Sequence, residues 1–274
     1  MLPPPPHPPI SPSLMNWRLI PLLNVPGKLQ MAIDEWLFAQ HHLGKHPPVL
    51  RFYTWISPTI SLGYHQRRWP VFWQDLTWQE TPIDIVRRPT GGRAVLHQGD
   101  LTYMVVTSGL TGKRIDSYQK ICEFLIQGWR ALGIDLYYGL AGRDYIRNPN
   151  CFGTATGADL VLANGAKLIG SAQLCRGNAI LQHGSICLEP DVELFTRVFG
   201  ETMPPVNLAM LKGNFPYAQG GDALIETVVE ALTNAAADCF GVNLVNQPLS
   251  DGEWEGILAQ PSLEVGLPVG IASD

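Results

Sequence analysis

Residues 158–188 read ADLVLANGAKLIGSAQLCRGNAILQHGSICL, and the turns inside this stretch decide the fold class. Asn164-Gly165 separates two apolar-rich runs. It is the strongest two-residue hairpin signal, because a tight hairpin turn wants positive φ at both central positions. Arg176-Gly177-Asn178 then turns the chain again. The spacing predicts a three-strand antiparallel meander over 158–188. Upstream, VLRFY (49–53), ISLGY (60–64), IDIVRR (83–88) and LTYMVVT (101–107) read as further strands.

Helices are expected at 30–43, with Ile33, Trp36 and Leu37 on one face, and at 117–132, where Tyr118, Ile121, Cys122, Leu125, Trp129 and Leu132 form a stripe. Gly133 should end the second of these. Further helices are expected at 191–199 and 222–240. Asp34 and Glu35 read as charges near the start of the first helix, favourable to its dipole. Strands, one helix, a meander and late helices imply an α/β chain of the α+β type, with mixed, largely antiparallel sheets packed against helices. One domain is expected over 15–260. It lies between a disordered proline-rich tail, 1–14, and a C-terminal tail, 261–274.

Composition narrows the function classes. The apolar fraction of 46% can fill a large core, and the formal net charge of -5 disfavours wholesale nucleic-acid binding. There is no run near the roughly 20 apolar residues that a membrane helix needs. The five cysteines are odd in number, with no C-x-x-C pair, and residues 1–14 lack a basic stretch followed by an apolar run. Reduced thiols and a cytoplasmic location are therefore expected. His41 and His42 are adjacent and cannot easily share one ion, so no metal site is expected.

Three stretches carry candidate chemistry. In RRPTGGRAVLH (87–97), Gly91 and Gly92 let backbone approach a ligand closely. Arg87, Arg88 and Arg93 add positive charge, which suits an anionic or carbonyl-bearing ligand. A tight turn with solvated arginines is the plainer alternative. Neither G-x-G-x-x-G nor G-x-x-x-x-G-K-[ST] occurs. In the second stretch, Lys167 follows the hairpin tip. The small residues Gly170, Ser171 and Ala172 mark either a bulge or a wall for a slender ligand. His183-Gly184 interrupts an apolar strand opposite, and His183 alone reads as a hydrogen-bonded structural histidine. The third is Cys151, in the loop NPNCFG (148–153). Cys122 and Cys239 read as core and Cys187 as an apolar strand end. Cys175, in a turn beside Arg176, is the rival for reactivity. A cysteine needs a nearby cation to be a good thiolate at neutral pH, and Lys167 is the candidate.

Taken together, QMAIDEWL (30–37), VLRFYTWISPTISLGYHQ (49–66), VRRPTGGRAVLHQGDLTYMVV (86–106), AKLIGSAQ (166–173) and AILQHGSI (179–186) resemble the lipoate/octanoate branch of the biotin and lipoate protein ligase superfamily. The resemblance runs from about residue 17 to residue 200. It implies a ligase-like catalytic domain and, from Cys151-Phe152 ahead of the Lys167 hairpin, the LipM-type octanoyltransferase class. In that class Cys151 and Lys167 would be catalytic. Arg88, Gly91, Gly92, His97, Gly170, Ser171, Ala172, His183 and Gly184 would bind substrate. The implied reaction moves octanoyl from acyl carrier protein, through a cysteine thioester, to a lysine of a lipoyl-acceptor domain such as the glycine cleavage H protein or a dehydrogenase E2. It needs no cofactor. The alternative is an ATP-dependent lipoate-protein ligase that forms lipoyl-AMP, using ATP and Mg, with phosphate placed against Arg88 and Gly91-Gly92. Two features depart from the pattern: Gly-Thr-Ala-Thr-Gly-Ala-Asp after Cys-Phe, and Cys175 within SAQLCRG.

Overall fold

The computed structural model describes residues 14–139, 159–203 and 221–264. Cys151 and most of the proline-rich tail lie outside the described residues. In chain order, β1 (Met15–Val25) leads into α1 (Gly27–His42), β2 (Val49–Trp55) and β3 (Thr59–Leu62). A short 3-10 turn (Val71–Asp75) precedes a small hairpin, β4 (Thr77–Trp78) and β5 (Thr81–Pro82). Then come β6 (Asp84–Arg87), β7 (Val95–His97), β8 (Asp100–Ser108), α2 (Arg114–Ala131), β9 (Tyr137–Tyr138), β10 (Leu160–Val161), β11 (Lys167–Arg176) and β12 (Ala179–Cys187). The last elements are α3 (Val192–Phe199), α4 (Asp222–Phe240), β13 (Val242–Asn246), α5 (Asp251–Leu258) and α6 (Pro261–Glu264).

Eight strands form the main sheet, in the order β13-β1-β2-β8-β12-β11-β10-β9. β1 runs parallel to both β13 and β2, and every other neighbouring pair is antiparallel. Side chains alternate across a strand, and the central strands use both faces. Leu50 and Phe52 of β2, Leu101, Tyr103 and Val105 of β8, and Ile180 and Ile186 of β12 join a core with Phe124, Leu125 and Trp129 of α2 and Leu232 of α4. The intervening Val49, Tyr53, Met104, Val106 and Leu181 pack with Met31, Ile33 and Leu37 of α1. Helices thus cover both faces, which is why β8 and β12 read as nearly unbroken apolar runs. A three-stranded sheet, β6-β3-β7, lies beside it. Ile60 and Leu62 of β3 pack there against Trp73 and against Leu194 and Val198 of α3. The mixed α+β architecture is the one expected.

Several local expectations are corrected. α1 starts at Gly27 behind Pro26, and its first turn holds no acid. Asp34 therefore lies well inside the helix, fully buried, and is not a charge for the dipole. The hairpin turn is longer than two residues. Leu162 N donates to Ala166 O at 2.8 Å, and only Gly165 has positive φ (82°). Asn164 instead accepts from Ala166 N through its side-chain oxygen. The β10–β11 register slips by one residue as a result. Cys175 lies in β11 opposite Ile180 rather than in a turn, and Cys239 is exposed on α4 rather than in the core. Leu263 of α6 packs against the α1 side of the core, so folded structure continues past residue 260.

The approach of α2 to α4 depends on a glycine. A Cβ on Gly128 of α2 would lie 2.6 Å from Leu232 Cδ2 and 3.1 Å from Leu232 Cα. Gly128→Ala should cost about 1–3 kcal/mol through overpacking, seen as a lowered Tm. Gly252→Ala in α5, where nothing lies within 4 Å of the added methyl, should leave Tm level or raise it. An unchanged Tm for Gly128→Ala would contradict the described α2–α4 packing.

Candidate active site

Where β11 and β12 run side by side, small residues face each other. Gly170 pairs with Ser185, Ser171 with Gly184 and Ala172 with His183. The register is continuous, so Gly170, Ser171 and Ala172 form a wall and not a bulge. Gly184 must stay bare: an added Cβ would lie 2.5 Å from Ser171 Oγ and 2.8 Å from Gly170 O. These residues line a partly open cavity of about 100 Å³. Met31, Trp55, Arg88, Gly92 and His97 complete much of the lining.

Two buried carboxylates hold the walls. Asp34 Oδ1 accepts from Arg51 Nε at 2.9 Å. Its Oδ2 accepts from Tyr53 OH at 3.0 Å and from His183 Nδ1 at 2.8 Å. His183 Nε2 faces Thr90 Oγ1 at 2.6 Å, so the ring ties α1 to the glycine loop. Burial works against the Asp34 charge, but Arg51 and then His183 outweigh it and hold the carboxyl below its usual range. Burial also holds His183 below the usual imidazole value despite Asp34. A neutral ring then donates through Nδ1 and accepts the Thr90 hydroxyl at Nε2. The second carboxylate, Asp100, receives His97 Nδ1 at 2.8 Å and Ser185 Oγ at 2.6 Å through Oδ2. Its Oδ1 is buried without a hydrogen-bond partner among the described residues. Trp55 stacks on His97 with ring centroids 3.8 Å apart. His97 and His183 are thus positioned pocket residues, each bonded through both ring nitrogens.

The arginine-glycine loop is both a turn and a wall. Arg88 bonds the carbonyls of Ser61 (2.8 Å), Gly91 (2.9 Å) and Arg93 (2.6 Å). Its guanidinium is turned onto the loop's own backbone. Gly92 adopts φ 98° and lines the cavity, while the Gly91 carbonyl points to Arg88. Gly63 passes so close that a Cβ there would lie 1.9 Å from Gly92 O.

Lys167 is not a solvated strand residue. Its side chain is 3% exposed, and Nζ lies 2.9 Å from Asp159 Oδ1. Gly170 leaves room for the lysine arm, since a Cβ there would lie 2.7 Å from Lys167 Cε. Asp159 reaches the cavity lining. Among the described cysteines, Cys122 is enclosed and burial raises its thiol to about 12. Burial likewise pushes the Cys187 thiol well up. Cys175 is exposed but lies eight residues along β11 from Lys167, about 26 Å at strand rise. Cys151 falls outside the described residues. Of the described residues on either side of it, Gly139 N donates to Asp159 O at 2.8 Å.

Sequence reasoning missed Asp34, Arg51, Asp100 and Asp159. Arg51 was open to detection: an arginine inside VLRFY shares the strand face of Val49 and Tyr53 and must find a buried acid. Asp159 carried no such signal. Among the described residues, no group of three or more His, Cys, Asp or Glu side chains is placed to hold a metal.

The sequence and the fold match known proteins. Residues 26–206 match the lipoyl protein ligase A/B catalytic domain, and the chain belongs to that family. It is 35% identical to the octanoyltransferase LipM of Kyrpidia tusciae, over 88% of this chain and 93% of that one. It is 40% identical to LipM of Carboxydothermus hydrogenoformans, over 67% and 69%, and 36% identical to LipM of Bacillus subtilis over the same shares. Among solved structures, lipoate-protein ligase A bound with ATP aligns with a TM-score of 0.69 at 23% identity, over 89% of this chain and 93% of that one. A bipartite lipoate protein ligase from Thermoplasma acidophilum aligns at 0.65 and 21%, over 89% and 91%. These structural likenesses establish the fold.

The histidine geometry sets an acid response. His183 binds its proton more weakly when folded than the unfolded value of 6.5. As pH falls through 6.5, the unfolded chain gains a proton that the folded chain refuses, so stability drops. His46, also lowered first by burial, adds the same sign. Asp34 contributes stability that is present above 3.8 and lost as pH falls through its lower folded value. Denaturant unfolding between pH 7.5 and 5 should show falling stability, with a shallower slope in His183→Gln. An identical slope in the two proteins would remove His183 from the account.

Proposed function

We propose that this chain is an octanoyltransferase that takes octanoyl from acyl carrier protein, carries it on Cys151 as a thioester, and delivers it to a lysine of a lipoyl-acceptor domain in lipoate biosynthesis. The activity named for the LipM relatives is the activity of this chain, an acyltransferase. One observation carries the site assignment. The slot walled by Gly170–Ala172 and Gly184 adjoins the Lys167–Asp159 pair. The chain leaves and re-enters at that same corner, Gly139 and Asp159, around the segment that bears Cys151.

The chemistry follows from these groups. The Cys151 thiolate attacks the carbonyl of the donor thioester, and the carrier thiol leaves as the new carbon–sulfur bond forms. The acceptor amine then attacks that thioester. Cys151 leaves with its bonding electrons, the nitrogen loses a proton, and an amide remains. The first step exchanges like for like and needs no ATP. The second runs downhill because an amide is more stable than a thioester. The Lys167 ammonium favours the thiolate, by the roughly 1–3 pKa units that a nearby opposite charge supplies. Asp159 keeps that ammonium at the corner. Pairing of β11 with β10 ends at Ile169, so backbone N–H groups beyond it, with those of Gly91-Gly92, are the candidate donors to a developing oxyanion. The octanoyl tail lies along the Gly170–Ala172 wall, each buried methylene contributing about 0.8 kcal/mol. No cofactor takes part, and the protein works in the cytoplasm. Among the described residues, no helix is long and apolar enough to cross a membrane.

Incubation with octanoyl-acyl carrier protein without ATP, followed by intact mass, should show one octanoyl group on the wild-type chain and none on Cys151→Ala. Lys167→Met should slow loading by about 100-fold or more at neutral pH and recover partly as pH rises toward the thiol's ordinary value. Acceptor modification that survives Cys151→Ala and requires ATP would replace this reading with the lipoate ligase one.

A further inference from the structure

We infer that the exposed ridge Tyr64–Phe72 is the docking surface for an acidic carrier protein that presents the acyl thioester. The inference rests on the octanoyltransferase reading and names the surface through which its donor arrives. The chain is acidic overall, yet no Asp or Glu occurs between Glu35 and Asp75, or between Asp84 and Asp100. Within those windows lie Arg67, Arg68, Arg87 and Arg93. Arg67 and Arg68 are exposed, alongside Tyr64 (53% exposed), Val71 (43%) and Phe72 (51%). Exposed arginines interleaved with aromatic rings are what protein interfaces enrich and what their hot spots use.

The ridge is fastened to the pocket. Tyr64 N donates to Thr90 O at 2.8 Å, and Thr90 bonds His183 in the cavity wall. Gly63 lies against Gly92, which lines the cavity. Arg87 bonds the carbonyls of Gly63 and Gln66, each at 2.8 Å, and so props the ridge from below. Burial, and then the neighbouring Arg67 charge, makes Arg87 a weaker base than a free arginine. Two guanidinium groups that burden each other gain when an anion lies between them. The opposite character appears in the groove between α2 and α4, lined by Glu123, Glu230 and Asp238. An acidic partner is repelled there and drawn to the ridge. A carrier whose acyl arm is joined through a phosphodiester would bring further negative charge to the same rim.

The test compares two octanoyl donors on the full-length chain: octanoyl-acyl carrier protein and the small neutral thioester octanoyl-N-acetylcysteamine. Loading is read by intact mass. The variants are Arg67→Glu/Arg68→Glu and, separately, Phe72→Ser. kcat/KM with the carrier donor should fall at least about tenfold in the charge-reversed protein, while loading from the small thioester stays at the wild-type rate and shows that the protein is folded. Added salt should slow carrier loading of the wild type far more than that of the variant. Equal rates with the carrier donor, or equal losses with both donors, would overturn the docking surface. A loss confined to transfer from preloaded protein to a lipoyl domain would also overturn it, by assigning the ridge to the acceptor. A wild-type chain that takes octanoyl from neither donor would bring down the octanoyltransferase reading, and the docking surface with it.

Discussion

A single carboxylate, Asp34, is the constraint on which the rest of the molecule depends. It is wholly enclosed, and an unpaired charge in that position would cost several kcal/mol. The sequence therefore has to bring it three donors from distant segments: Arg51 of β2, Tyr53 two residues on, and His183 of β12. Arg51 in turn donates to the Gln30 carbonyl and lies over the Tyr53 ring. Gln30 Nε2 reaches the carbonyls of Leu23 and Thr54. One helix face is thereby fixed against three strands with a stated register. Hydrophobic burial supplies the driving force, but it is non-directional. The polar cluster selects among the ways in which an apolar helix face can lie on an apolar sheet.

The cavity follows from that alignment. His183 passes the Asp34 constraint to Thr90, and Thr90 passes it to the loop that curls around Gly92. Asp100 organises the other side by gathering His97, Ser185 and Thr102, while the Trp55 ring closes over His97. Between these two fixed walls the chain places glycine, serine and alanine, so space remains where two strands would otherwise fill it. Charge enters at one end, where Lys167 and Asp159 lie together. Under the octanoyltransferase reading, a slot with the buried Lys167–Asp159 pair beside it suits a slender acyl chain that ends in a reacting carbonyl. Rigidity here is useful, because transfer between two carriers requires the carbonyl to stay in place while its partners exchange.

Much of this was open to sequence reading, and the exceptions have physical causes. The β11–β12 meander, α2 and α4 were legible because period and turn chemistry agree there. β1 (MNWRLIPLLNV) was not, since Pro21 and the register shift between Ile20 and Leu23 break its alternation. The Asn164-Gly165 turn was located correctly but given the wrong geometry, because the Asn164 side chain caps the loop and only glycine needs positive φ. The wall residues Gly170, Ser171, Ala172 and Gly184 could be named from their size. Asp34 was misread, since a helix written in one dimension does not show that its acid faces a buried arginine. Arg88 lines the cavity, and its tie to three backbone carbonyls arises from a loop closure that sequence spacing cannot reveal. Cys239 falls on the α4 stripe by period, yet it lies where that stripe meets solvent.

The most direct test of the central claim is a crystal structure of the octanoyl-loaded protein. The chain's hydrocarbon should run along Gly170–Ala172 and Gly184, with its carbonyl at the Lys167–Asp159 corner and its sulfur belonging to Cys151. An acyl chain found outside that slot, or bound to Cys175, would contradict the account.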